Sequence, residues 1–221
     1  MFTWRVTDPK VLSTGRSTGT RDAILSAAEK LFAEYGMFAV SNRQISEAAG
    51  QGNNAAVSYH FGSKTDLLRA IETKHRQPIE RLRAQMLAEI ADSTDMRDWV
   101  SCLVRPLTDH LAALGNPTWY ARFAAQAMAD PAYHGVVTKD ALASPVLVRT
   151  IDGINRCLPE LPGRVRAQRN AMARNLLMHT CAEHERALAE RGPRSQLTWP
   201  TAAEGLIDAI VGLWQAPVTK V

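Results

Sequence analysis

Apolar residues recur at intervals of three and four along most of the chain, which is the spacing of one face of an α-helix. The first such run begins at Thr20 and ends at Gly36, a residue suited to terminate a helix. No stretch alternates apolar and polar residues between hairpin turns, so no strand is predicted. The pattern therefore predicts an all-α protein.

Two capping boxes mark the next helix starts. Ser41–Gln44 predicts a short second helix that Gly50 ends, and a second short apolar-faced segment follows at residues 55–61. Ser63–Asp66 predicts the start of a long helix, in which Pro78 is expected to produce a kink or an end. Further helices are expected at about 95–114, 117–129, 136–157, 163–190 and 201–215.

Composition narrows the class of protein. The chain has 221 residues, of which 46% are hydrophobic and 22% charged, as in globular proteins and unlike disordered or disulfide-built chains. Its three cysteines share no CxxC spacing and predict reduced thiols. Since neither a membrane span nor a secretory signal is visible, we expect a cytoplasmic protein with no membrane partner. Residues 1–19, rich in Ser, Thr and Gly, are interpreted as a flexible, mildly basic arm.

The two short helices are too small to bury their own apolar faces. They need helix one and the start of helix four against them, as in a three-helix DNA-binding unit with a helix-turn-helix. Ser58, Tyr59 and His60 supply the small and hydrogen-bonding groups that a recognition helix uses in a DNA groove. The net charge of +4 adds little, because residues 1–70 hold eight Lys and Arg against six Asp and Glu.

Three motifs occur in order over residues 20–70: AAEKLFAEYG, QISEAAG and SYHFGSKTDLL. Together they resemble the N-terminal domain of the tetracycline-repressor (TetR) family of bacterial regulators. The resemblance implies a DNA-binding domain at 20–66, with its helix-turn-helix motif at about 41–61, and a ligand-binding and dimerisation domain at 67–221.

The resemblance also implies which residues contact DNA. Tyr59, His60 and Lys64 stand where the family has phosphate contacts, and Ser41 and Arg43 lie near the backbone at the start of helix two. Asn53 and Asn54 either read adenine edges or simply form the turn. The turn is one residue longer than the common pattern and Ser58 replaces a frequent Tyr, so the base contacts are left open. The complete set is Ser41, Arg43, Asn53, Asn54, Ser58, Tyr59, His60 and Lys64.

Large apolar residues of the middle helices have two interpretations. In the family these helices surround a ligand cavity, whereas apolar residues at helical spacing also form ordinary core. The candidate ligand-binding residues are Trp99, Cys102, Leu103, Trp119, Tyr120, Phe123 and Met128. Arg105, His110 and Arg122 lie in the same stretch and are candidates for orienting an effector.

The last two helices carry a broad apolar band, which suggests burial on two sides. Similar proteins pair these helices with their twins, which places two recognition helices over a palindromic operator. The predicted interface comprises Met172, Leu176, Leu206, Ile207, Ile210, Leu213 and Trp214.

Enzyme signatures are weak. Residues 50–55 fit GxGxxA, but a helix and not a strand precedes them, and His179, Cys181 and His184 lack the further ligand of a metal site. We therefore expect no enzyme, no cofactor and no metal. The resemblance implies a homodimeric regulator, typically a repressor, that binds double-stranded DNA at a palindromic operator and is released by a small-molecule effector. The alternative is a helical dimer that binds ligands or proteins but not DNA.

Overall fold

The computed structural model describes residues 9–90, 92–158, 160–191 and 198–218. These residues form ten α-helices and contain no strand, which confirms the predicted all-α class. No described helix has both the length and the apolar character needed to cross a membrane. The helices are α1 Pro9–Tyr35, α2 Asn42–Ala48, α3 Ala56–Phe61, α4 Lys64–Ile90, α5 Met96–Leu114, α6 Tyr120–Ala129, α7 Pro131–Leu142, α8 Pro145–Arg156, α9 Gly163–Arg191 and α10 Trp199–Gln215.

Both capping boxes form as predicted. At the start of α2, Gln44 N donates to Ser41 Oγ at 3.3 Å and Ser41 N donates to Gln44 Oε1 at 2.8 Å. Before α4, Asp66 N donates to Ser63 Oγ at 3.1 Å and Ser63 N donates to Asp66 Oδ2 at 3.3 Å. The hydrogen bonds that Ser63 donates to Asp66 also lower the pKa of the Asp66 carboxyl. Gly36 ends α1 with a φ of 83°, a conformation that favours glycine.

The predicted arm requires a correction. Residues 9–19, which we expected to be flexible, form the first turns of α1, while residues 1–8 lie outside the described residues. Pro9 suits the first turn of a helix, where its missing N–H costs no hydrogen bond. The Ser, Thr and Gly residues that follow have low helix propensity but do not break a helix, so composition alone was misleading.

Prolines set other boundaries that the sequence analysis placed differently. The segment expected as one helix over 136–157 is two helices, each opened by a capping side chain and a first-turn proline: Asp130 with Pro131, and Ser144 with Pro145. Pro117 was expected in the first turn of a helix, but α6 begins only at Tyr120. Pro78 lies inside α4, which continues past it.

The chain divides after Ile71 into two compact units, five residues beyond the boundary expected after Asp66. The core of the N-terminal unit joins α1, α2, α3 and the first turns of α4 through Phe32, Ile45, Phe61 and Leu68. In the C-terminal unit, α10 packs on α5 and α9, α6 packs on α9, and α5 packs on α8.

A buried carboxylate of α9 caps α6. Trp119 stands at the N-cap of α6 without a side-chain hydrogen bond, and Glu185, 1% exposed, supplies the acceptors. Glu185 Oε1 accepts from Thr118 Oγ1 at 2.7 Å and Ala121 N at 3.2 Å, and Oε2 accepts from Arg122 N at 3.0 Å and Arg122 Nε at 3.1 Å. This carboxylate therefore satisfies first-turn amides that the local sequence leaves without a cap.

Candidate nucleic-acid interface

The turn between α2 and α3 is built around Asn53. Asn53 Oδ1 accepts from Ala55 N at 2.9 Å and its carbonyl accepts from Ala56 N at 3.0 Å. Gly50, with a φ of 68°, reverses the chain after α2. Asn53 thus forms the turn, which is one of the two roles that the sequence left open for it, and both Asn53 and the neighbouring Asn54 are exposed.

Helix α3 has two distinct faces. Ala56, Val57 and Phe61 are buried in the N-terminal unit. Tyr59 is 84% exposed and Ser58 is also exposed, so a hydroxyl and a phenol project from the opposite face. A large aromatic ring exposed to solvent on a short helix is more typical of a binding surface than of a helix that only packs against the core.

His60 lies half-buried at the edge of this face. Its ring meets the ring of Tyr59 edge-on, with centroids 5.1 Å apart and planes at 86°. The arrangement restricts the Tyr59 ring and leaves the phenol accessible. Tyr59 and His60, predicted from the resemblance, are thus adjacent in space as well as in sequence.

The start of α2 approaches the same face. Asn42 Nδ2 lies 3.5 Å from Ser58 Oγ, which brings the exposed residues Ser41 and Arg43 to the side of α3 that carries Ser58. Asn42 was not among the predicted residues, because its neighbour Ser58 is sixteen positions away. Arg43 donates from Nε to Glu47 at 2.8 Å. That hydrogen bond and the nearby negative charge raise the pKa of Arg43.

Lys64 has hydrogen-bond partners within its own unit. Its ammonium donates to the Val40 carbonyl at 2.7 Å and to the Met37 carbonyl, and lies 5.4 Å from the centroid of the Phe32 ring. The predicted phosphate ligand is therefore directed into its own domain, where it fixes the turn between α1 and α2. Spacing could not reveal this, since the two carbonyls belong to residues 24 and 27 positions earlier.

Two family models match the chain. One, described as "Bacterial regulatory proteins, tetR family", covers residues 24–71. The other, described as "Tetracyclin repressor-like, C-terminal domain", covers residues 101–212, about half of the chain. The chain belongs to the TetR family. It is a DNA-binding transcriptional regulator of the TetR type, and its α2–turn–α3 segment is the helix-turn-helix.

Solved structures of TetR-type regulators share this fold. NalD, the secondary repressor of the MexAB-OprM multidrug efflux pump in Pseudomonas aeruginosa, is 24% identical with a TM-score of 0.54, over 88% of this chain and 96% of that chain. The TetR-family regulator PfmR from Thermus thermophilus is 18% identical with a TM-score of 0.51, over 89% of this chain and 99% of that chain. At these identities the likeness concerns the fold alone. No curated protein matches the chain significantly.

The candidate ligand-binding residues of this TetR-family chain are mainly core. Trp99, Cys102, Tyr120 and Phe123 are buried, and Leu103, Trp119 and Met128 are half-buried. None of the seven lines the groove between α4 and the α7–α8 junction. Burial raises the pKa of the Cys102 thiol to about 11, which keeps it protonated. For these residues the core-packing alternative accounts for what is observed.

The three polar candidates for effector contacts have partners within the protein. Arg105 pairs with Glu204, and Arg122 pairs with Glu185. His110 Nε2 lies 2.9 Å from Nδ1 of buried His75. The His75 ring in turn stacks on Tyr120, with centroids 3.9 Å apart. This imidazole pair joins α4 to α5 and α6.

The predicted dimer residues divide into two groups. Leu206, Ile207, Ile210 and Trp214 are buried within the protomer, so the expectation that they meet a second chain is corrected. Their stripe faces α5 and α9 of the same chain. Met172 is 54% exposed, and Leu176 and Leu213 are half-buried on the same two helices. The exposed residues of α10 include the small residues Gly205, Ala209 and Gly212, and also Glu204 and Asp208, which pair with arginines of α5.

Proposed function

We propose that the protein is a homodimeric repressor that binds a palindromic operator and leaves it when a small molecule binds the C-terminal unit. The observation that carries the DNA-binding assignment is the exposed face of α3 within a TetR-type helix-turn-helix. Ser58, Tyr59 and His60 contact phosphates there, Ser41 and Arg43 add contacts from α2, and Asn54 is the remaining candidate for a base contact.

Tyr59→Ala tests this interface. In a gel shift with the DNA upstream of the protein's own gene, we expect the affinity to fall about tenfold, because one phosphate hydrogen bond and its aromatic contact are lost. Phe38→Ala is the matched control, since Phe38 is 99% exposed in the same unit but lies in the turn after α1. Equal affinities for wild type and Tyr59→Ala, or an equal loss in Phe38→Ala, contradict the assignment.

The dimer is proposed to form through the outward faces of α9 and α10. A Cβ added at Gly205 or Gly212 meets no atom within 4 Å in the protomer, so a second helix can approach α10 closely there. Met172 supplies an exposed apolar side chain on the neighbouring helix. A two-fold axis through this surface gives each chain the same contacts.

Met172→Glu tests the dimer surface. We expect this variant to sediment as a monomer, because a charge would be buried without a partner. Leu114→Glu introduces the same charge at an exposed apolar residue at the end of α5 and should leave the mass unchanged. A Met172→Glu variant that stays dimeric excludes this surface.

Coupling between effector and operator is assigned to α4. This helix begins at Lys64, directly after the helix-turn-helix, and continues to Ile90. A ligand that displaces α4 changes the separation of the two α3 helices in the dimer and lowers the operator affinity. In such two-state systems the coupling free energy is about 1–3 kcal/mol.

A further inference from the structure

A groove in the C-terminal unit lies between α4 and the junction of α7 with α8. Its volume is about 450 Å³, within the range of small-molecule sites. Four of its nine lining residues are apolar: Ala84 on one wall and Ala143, Pro145 and Val146 on the other. The groove is therefore suited to hold the apolar body of a small ligand.

Two guanidinium groups also line this groove. Arg76 is half-buried and donates from Nη1 to the Asp140 carbonyl at 2.9 Å, and Arg81 is exposed. Glu80 lines the groove as well, but it pairs with buried Arg83. The lining thus holds two arginines against the carboxylates of Glu80 and Asp140, and its formal charge is zero.

The first turn of α8 adds a partial positive charge that this count of side chains does not include. Ser144 Oγ caps the helix by accepting from Leu147 N at 3.2 Å, and Pro145 and Val146 of the same turn line the groove. The positive end of a helix dipole favours an anion. The groove thus combines an apolar lining with arginines on one wall and a helix N-terminus on the other.

We propose that this groove binds a small molecule with an apolar body and a single carboxylate. The carboxylate is held by Arg76 and Arg81, whose forked N–H groups match its two oxygens. The inference rests on the proposed regulator function, in which this molecule is the effector.

Two features of the groove walls suit an effector site. Helix α7, which ends beside the groove, has no buried residue, so this wall can adjust at little cost in packing. On the other wall, Arg76 follows His75, whose imidazole is held against His110 and Tyr120. A ligand bound to Arg76 therefore contacts α4 one residue from His75, where α4 packs against the core of the C-terminal unit.

Octanoate, 1-octanol and octylamine test the chemistry, because they share a chain and differ in the head group. We would titrate each into the full-length protein without DNA and follow tryptophan fluorescence and the thermal midpoint. Octanoate should bind at least about tenfold more tightly than either analogue, since only it pairs with a guanidinium. Equal binding of 1-octanol, or no binding of octanoate, overturns the proposal.

Variants locate the site. Arg76→Lys keeps the positive charge but removes the paired N–H donors of the guanidinium. Arg81→Gln removes a charge at an exposed position, and Ala84→Phe fills the groove. Each should weaken octanoate binding about tenfold. Arg149→Gln, an exposed arginine on α8 outside the lining, is the matched control and should change nothing. Octanoate binding that survives all three variants, or that falls equally in Arg149→Gln, contradicts the site.

A gel shift with the upstream DNA then separates this inference from the proposed function. Release of DNA by octanoate in wild type, and not in Arg81→Gln, supports both. A protein that binds octanoate but no DNA contradicts the regulator function and leaves the groove assignment intact. A protein that binds DNA but not octanoate contradicts the groove assignment alone.

Discussion

Gly153→Ala is a substitution for which two physical effects predict opposite results. Gly153 lies in the interior of α8 against Trp99 of α5. A Cβ added there would lie 2.0, 2.1 and 2.6 Å from three carbons of the Trp99 ring, far inside van der Waals contact. The ring has no easy escape, because Trp99 is 1% exposed and donates from Nε1 to the Ser93 carbonyl at 2.8 Å, with Arg156 over its face.

The sizes of the two effects decide whether the substitution stabilises or destabilises the protein. Alanine is more favourable than glycine in a helix interior by about 0.8–1.0 kcal/mol. Overpacking of a core typically costs about 1–3 kcal/mol, and the upper end applies to a ring held from several sides. We therefore expect the free energy of unfolding to fall by about 2 kcal/mol. For a unit of this size the thermal midpoint should fall by about 4–8 °C.

Gly135→Ala is the matched control, because Gly135 lies in the interior of α7 and its Cβ would meet no atom within 4 Å. It should raise the midpoint by about 2–3 °C through helix propensity alone. Thermal unfolding of both full-length variants, followed by far-ultraviolet circular dichroism, measures the difference. A Gly153→Ala variant as stable as wild type would refute the close packing of α8 on Trp99.

Three further predictions concern polar groups. Glu185→Gln should lower the free energy of unfolding by about 3–5 kcal/mol in chemical denaturation, because it removes the charge of a buried carboxylate that pairs with the largely buried guanidinium of Arg122. A loss below about 1 kcal/mol would contradict the cap. Lys64→Met should lower the thermal midpoint and leave the salt dependence of DNA binding unchanged, whereas loss of a phosphate contact reduces the slope by about 0.9. Burial raises the pKa of the Cys102 thiol to about 11 and that of Cys181 to about 12, above their ordinary value of 9.0. The unfolded chain therefore loses these thiol protons at a lower pH than the folded protein does. The contribution of the two thiols to the free energy of unfolding is full below about pH 9 and declines as the pH rises towards about 11 for Cys102 and about 12 for Cys181. A denaturation midpoint that stays constant between about pH 8.5 and 10.5 would contradict this.

Structural features that depend on residues within one helical turn were predicted correctly from the sequence. Both capping boxes and the helix end at Gly36 depend on groups within one turn of each other, so the sequence contains all the partners. Asp130-Pro131 and Ser144-Pro145 are signals of the same kind, but apolar residues continue on both sides of them and conceal the helix boundaries.

Contacts between distant residues were not predictable in this way. The periodicity of α10 shows that Ile207 and Ile210 share a face, but not whether that face meets its own chain or a second one. The structure places both against the protomer's own core. Lys64 likewise had the position of a phosphate ligand, and only the fold shows that the Val40 carbonyl lies within its reach.

The cap that Glu185 provides for α6 has a consequence for the order of folding. Ala121 N and its acceptor are 64 positions apart, so α6 leaves the ribosome well before the residue that completes its first turn. Contacts of such separation form slowly, because a long loop must first close. Until α9 has been synthesised and docked, the nascent chain exposes an α6 start with uncapped amides, and this segment becomes native late in synthesis.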